Sequence, residues 1–194
     1  MKARHRIRLV ATALLLAFPP THARAQVAPL TLGELLSNAK PGRWVRLEGV
    51  PQEDRTVRCV KAGLLGGSNQ DTGWAIKGLV QDVDTAARQL TVGGDRVRVL
   101  PGPKLNSPTG SLRGLSDLKP GMYVKVEGTY GQDSVFVARK VDDQSLDVAR
   151  KPGSEKKVVH QGRIERADPA QRTIVLMGTT YVLSSDTRVI SVAN

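Results

Sequence analysis

Two short stretches place an aromatic ring, a cation and a carboxylate at alternate positions. Trp44, Arg46 and Glu48 form one set, and Tyr123, Lys125 and Glu127 form the other. Side chains two apart on a strand share a face. With Val45 and Leu47 turned inward, Trp44, Arg46 and Glu48 turn outward, and Tyr123 and Lys125 follow the same rule. A ring beside a cation is a surface that holds polyanions or sugars. The other use of such rings is to seal one unit against another, and Trp74 is an equal candidate for a seal.

Other reactive types are sparse. Nucleophilic catalysis needs a base beside a Ser, Thr or Cys. His160 is the only histidine outside the first 25 residues, and it falls within a strand pattern. Glu48 and Glu127 each precede a glycine, and one carboxylate per set is not an acid–base pair. The glycines that follow them read as bends or bulges. Zinc needs several Cys or His at close spacing, and these are missing. Asp142, Asp143 and Asp147 lack the glycine-containing spacing of a calcium loop and read as a solvated linker. Asp84 and Asp168 precede hairpin loops and read as turn formers. No catalytic residue, metal ligand or cofactor is expected, and the chain reads as a non-enzyme.

Cys59 is the single cysteine, so no disulfide forms within the chain. It alternates with Val57 on one strand face, which predicts a buried thiol. Pairing between chains is the alternative.

The elements that must position these residues follow from repetition. Residues 37–61 (SNAKPGRWVRLEGVPQEDRTVRCVK) match residues 116–140 (SDLKPGMYVKVEGTYGQDSVFVARK). Residues 78–99 (GLVQDVDTAARQLTVGGDRVRV) match residues 162–183 (GRIERADPAQRTIVLMGTTYVL). One complete unit therefore occupies 74–143, and its two halves recur outside it in reversed order. Each front half reads as three strands with short hairpins, and each back half as a short helix and two strands. Thr31-Leu32-Gly33-Glu34 has capping-box spacing, and Lys40-Pro41-Gly42 ends that helix.

The expected fold is all-β, with two small OB-like five-stranded barrels, each carrying a short helix. The central barrel spans 74–143. The half-unit in 26–73 has its helix and two strands at 31–61. A linker at 144–156 leads to a C-terminal half-unit at 157–194. The two outer halves are expected to complete the second barrel together, within one chain or by exchange between two.

GLVQDVDTAARQLTV, SDLKPGMYVKVEGTY and VFVARKV together resemble an exported bacterial repeat, the domain of unknown function 5666. The resemblance implies a barrel and export, and no activity. The pattern is also similar to that of small periplasmic copper-chaperone barrels. Those use a His and paired Met near a Trp. Here Gly93-Gly94 stand at the His position and no Met-x-Met occurs.

The chain has 194 residues and 29 Lys+Arg against 18 Asp+Glu, a formal +11. Lys2, Arg4, Arg6, Arg8 and Arg24 lie in the first 25 residues, which hold no acid. Basic residues, then LVATALLLAF, then Pro19-Pro20 and Ala23-Arg24-Ala25 read as a secretory signal peptide at 1–25, cut between Ala25 and Gln26. The apolar run is shorter than the roughly 20 residues that span a bilayer. Without the peptide the excess is +6, interleaved with acids along the strands, which does not call for nucleic acid. The product is expected to be periplasmic or secreted. It reads as a binding or scaffolding protein of the cell envelope, with an envelope protein, polyanion or carbohydrate as partner. Trp44, Arg46, Tyr123 and Lys125 are the candidate ligand-binding residues.

Overall fold

The computed structural model describes residues 30–66, 73–131 and 133–190. The expected signal peptide lies outside them. The first element is helix α1 (Leu32–Asn38), and Thr31 and Glu34 cap it reciprocally. The Glu34 N–H donates to Thr31 Oγ1 at 3.2 Å, and the Thr31 N–H donates to Glu34 Oε2 at 2.8 Å. Strands β1 (Trp44–Pro51) and β2 (Val57–Leu64) follow as an antiparallel pair. Next come β3 (Trp74–Asp84), β4 (Gln89–Val92), β5 (Asp95–Asn106), β6 (Tyr123–Tyr130) and β7 (Phe136–Asp143).

These five close into a barrel. β3 pairs with β4, β4 with β5, β5 with β7 in parallel, β7 with β6, and β6 with β3. Closure leaves no ring edge unpaired. The inward positions are apolar, and all but Phe136 are small or branched: Val80, Leu90, Val92, Val97, Val99, Val124, Val126, Phe136, Ala138 and Val141 are all buried. The expected helix of this unit is only a 3-10 turn, Leu115–Asp117. Gly110, Gly114 and Pro120 flank that turn, and all three are poor helix formers.

Beyond β7 a short helix α2 (Ser145–Ala149) and a 3-10 turn (Ser154–Lys156) lead to β8 (Val158–Arg163). The last strands are β9 (Arg166–Asp168), β10 (Thr173–Leu176), β11 (Thr179–Val182) and β12 (Arg188–Val189). β8 pairs with β3 on one side and β1 on the other, so barrel and outer strands share one sheet. The path continues β1-β2-β11-β10-β9, and β12 pairs with β2. The two ends of the described chain therefore meet, through β1–β8, β2–β11 and β2–β12. Pairing closes one barrel. For the expected second one it gives a path that stops at β9, which among the described residues pairs with β10 alone. At that point the chain changes partner: the Ile164 N–H donates to Arg43 O and the Glu165 N–H to Val175 O.

Sequence-matched turns share their geometry. Asp84 Oδ1 accepts the Ala87 N–H at 2.8 Å, and Asp168 Oδ1 accepts those of Ala170 and Gln171 at 2.9 and 3.0 Å. Arg88 and Arg172 then adopt left-handed φ values of 55° and 52°. Register shifts fall at Glu48/Gly49 and at Glu127/Gly128. Each glycine faces a bulge in the paired strand, where the extra residue is Val60 of β2 or Arg139 of β7.

Candidate functional site

The shared sheet sets the site. Across β6-β3-β8-β1-β2, one register row runs Lys125, Lys77, Val159, Glu48, Lys61, and the next runs Glu127, Ala75, Gln161, Arg46, Gly63. Directly opposed residues point to the same side of a sheet. Val45 and Leu47 are fully buried on the other side, so Arg46 and Glu48 do face outward.

The segment after β7 folds over this face instead of standing free as a solvated linker. Asp143 Oδ1 accepts the Ser145 N–H at 2.9 Å, and Ser145 Oγ accepts the Tyr123 N–H at 3.1 Å. The Gln144 N–H donates to Tyr123 O at 2.8 Å. A groove of about 540 Å³ lies between sheet and strap, lined by Arg46, Glu48, Lys61, Lys77, Tyr123, Gln144, Asp147, Val148, Arg150, Lys151, Ser154, Lys157 and Val159. Three segments distant in sequence build it: β1–β2, the barrel strands β3 and β6, and the strap.

Six of those residues are cationic and two are acidic. Glu48 takes Lys157 Nζ at 3.0 Å and Lys61 Nζ at 3.3 Å. Burial would raise the Glu48 pKa, but the Lys157 hydrogen bond and the Lys61 charge outweigh it and hold the carboxyl below its ordinary value. Arg150 approaches Asp147 at 3.9 Å. Among the described residues, Arg46, Lys77 and Lys151 have no carboxylate within ion-pair distance.

Lys77 is half-buried, and its Nζ donates to Gln144 Oε1 at 3.0 Å. Burial, with the charges of Arg46 and Lys125, lowers its pKa; Asp147 and Asp142 oppose that without cancelling it. Tyr123 is buried and its hydroxyl donates to Lys157 O at 3.5 Å. Burial pushes that phenol up to about 12, with Glu48 adding to the effect and Arg46 opposing it.

The two expected ring-and-cation faces are therefore regrouped. Arg46 shares the groove with Tyr123, not with Trp44, and Tyr123 is a buried wall instead of an outward ring. Trp44 meets Trp74 edge-on at 5.4 Å between ring centroids, and Trp74 meets Tyr130 at 5.6 Å. The Arg163 guanidinium lies 5.4 Å from the Trp44 ring centre. Gly162 admits Trp74, since a Cβ there would sit 2.3 Å from the indole. Trp44 and Trp74 thus seal the junction where β1 and β3 flank β8. Lys125 is bound in an ion pair with Glu127, which also takes Lys140 at 3.2 Å.

Sequence reading did not foresee Lys77, Lys157 or Gln144 at the site. The available signal was the register position of Lys77 opposite Lys125. It becomes visible only once β3 is known to pair with β6.

A second recess of about 300 Å³ lies by the loop between β1 and β2 and includes Arg55, Thr56, Gly93, Asp95, His160 and Thr179. His160 is 1% exposed, and its Nε2 is 2.7 Å from Asp95 Oδ2. Its Nδ1 is buried without a partner, so no hydroxyl or thiol is held there for activation. The pair joins the β4–β5 hairpin of the barrel to β8. Cys59 is buried and free. Burial pushes its thiol up to about 12, far from a reactive thiolate at neutral pH. Asp142 pairs with Lys140 at 2.7 Å. Among the described residues no three of His, Cys, Asp or Glu gather as metal ligands, and no helix is long and apolar enough to cross a membrane.

Residues 77–142 match the family model described as a domain of unknown function, DUF5666. That segment is similar to DUF5666. No curated protein and no solved structure matches the chain. The DUF5666-like segment starts within β3 and ends within β7, so it covers most of the closed barrel. It supplies Lys77 and Tyr123 to the groove. Arg46, Glu48, Lys61 and the whole strap come from outside it.

Proposed function

We propose that the protein is an exported, non-catalytic binding protein of the cell envelope. Its groove is the ligand site, and the ligand is a polyanion or an acidic carbohydrate. The observation that carries this reading is the set of three cations, Arg46, Lys77 and Lys151, that line one groove without carboxylate partners. A half-buried ammonium with its pKa lowered is unfavourable in the free protein. An arriving phosphate, sulfate or carboxylate supplies the missing counter-charge, and Arg46 offers it a planar two-pronged donor. The groove volume lies within the range of ordinary ligand sites, about 300–1,000 Å³. The basic and apolar start of the chain, ending in Ala-x-Ala, supports export.

Inorganic polyphosphate is the direct probe. Neutralising about three phosphates gives a log–log slope of affinity against salt near −2. Titration calorimetry at several salt concentrations is expected to show that slope. Absent binding, or binding that ignores salt, would remove the proposal.

A further inference from the structure

We infer that Lys77 is the nucleophilic amine of the groove, placed to capture the aldehyde or ketone of an anionic ligand as an imine. Among the groove's lysines, Lys61 and Lys157 are tied to Glu48 in ion pairs. Lys77 and Lys151 have no such partner, but Lys151 is exposed, whereas Lys77 is half-buried and meets a neutral amide oxygen, Gln144 Oε1 at 3.0 Å. That contact orients Nζ without stabilising its charge as a carboxylate would. Arg46 and Lys125 add repulsion, against a weaker pull from Asp147 and Asp142. Dehydration beside other cations is the setting that frees a lysine amine near neutral pH.

The chemistry balances without a co-reactant. The ammonium gives its proton to solvent, and the amine nitrogen then adds to the carbonyl carbon. A C–N bond forms as the carbonyl π pair moves to oxygen, and a proton passes from nitrogen to oxygen to give the carbinolamine. Loss of water leaves C=N, and hydrolysis reverses the capture. The reactivity of the amine stands on its own geometry. The preference for an anionic carbonyl compound rests on the anion-binding reading of the groove.

The test treats the full chain with pyridoxal 5′-phosphate or with pyridoxal. Borohydride then reduces any imine, and peptide mass spectrometry locates the adducts. Lys77 is expected to be labelled at least about threefold faster than the exposed Lys104 and Lys119. The phosphate-bearing aldehyde should react faster at Lys77, and inorganic polyphosphate should protect it. Lys77→Arg removes the adduct while keeping the charge. Labelling of Lys77 at or below the rate of Lys104 and Lys119 with both aldehydes overturns the inference. Equal preference for Lys77 with both aldehydes and no protection keeps the amine and overturns the anion-binding reading instead.

Discussion

Gly128→Ala is expected to destabilise the barrel by about 3 kcal/mol, the upper end of overpacking penalties. A Cβ at Gly128 would lie 2.0 Å from Val137 O and 2.9 Å from its carbonyl carbon. No side chain can move aside, because the obstacle is the backbone of the paired strand. The bulge places Gly128 opposite Ala138 while Glu127 faces Lys140, so relieving the clash means resetting the register of β6 on β7. That would also disturb the Glu127–Lys140 ion pair at the rim of the shared face. For a domain of this size the loss corresponds to a fall in Tm of about 10 °C. Gly33→Ala is the contrast: nothing lies within 4 Å of its added Cβ, and it sits inside α1. That change is expected to stabilise by about 0.5–1 kcal/mol. Urea unfolding of both variants checks the pair of signs, and a Gly128→Ala cost below about 0.5 kcal/mol contradicts the packing described.

Arg46→Ala with Lys77→Ala is expected to weaken polyphosphate binding about 100-fold at low salt. Each lost charge-assisted contact is taken at about 1.4 kcal/mol after screening, a factor of ten apiece. A control with the same loss of charge, Lys104→Ala with Arg139→Ala, alters two exposed cations outside the groove. It should weaken binding by no more than about threefold, as a general field effect does. The groove variant should fold at least as stably as the parent. Lys77 has a lowered pKa in the fold, so folding disfavours its charged form. Removing it therefore removes a penalty at neutral pH. A groove residue that costs stability and is needed for binding is the expected signature of a ligand site. Equal effects of the two double variants would mean that binding follows net charge alone.

Much of the fold was legible because its signals are local. The Thr31–Glu34 cap, the Asp84 and Asp168 turns and the alternation of Val45 and Leu47 each involve residues a few positions apart. Cys59 was read as buried from its parity with Val57, and both are core residues. The site was less legible because its partners meet only through β8. Arg46 and Lys77 share the face because β8 bridges β1 and β3. No property of residues 44–48 or 123–127 states that order. Trp44 was read beside Arg46 of its own strand, and the cation at its ring is Arg163 on the paired strand. Residues 144–156 read as a linker, and their composition cannot indicate that Gln144 and Ser145 fasten that segment over Tyr123 and Lys77. His160 sits opposite Ile76 and Leu47, both buried, so its inward direction follows from register. Its Asp95 partner comes from another hairpin and gave no sequence signal.

We propose that one groove, shared by the barrel, β1 and the strap, binds anions, and backbone amide NMR during titration with inorganic polyphosphate is the decisive check. Saturable shift changes are expected at Arg46, Lys77, Tyr123, Gln144, Lys151 and Lys157. Shifts centred on the exposed Arg96 and Arg98 of β5, or spread evenly over the surface cations, would contradict it.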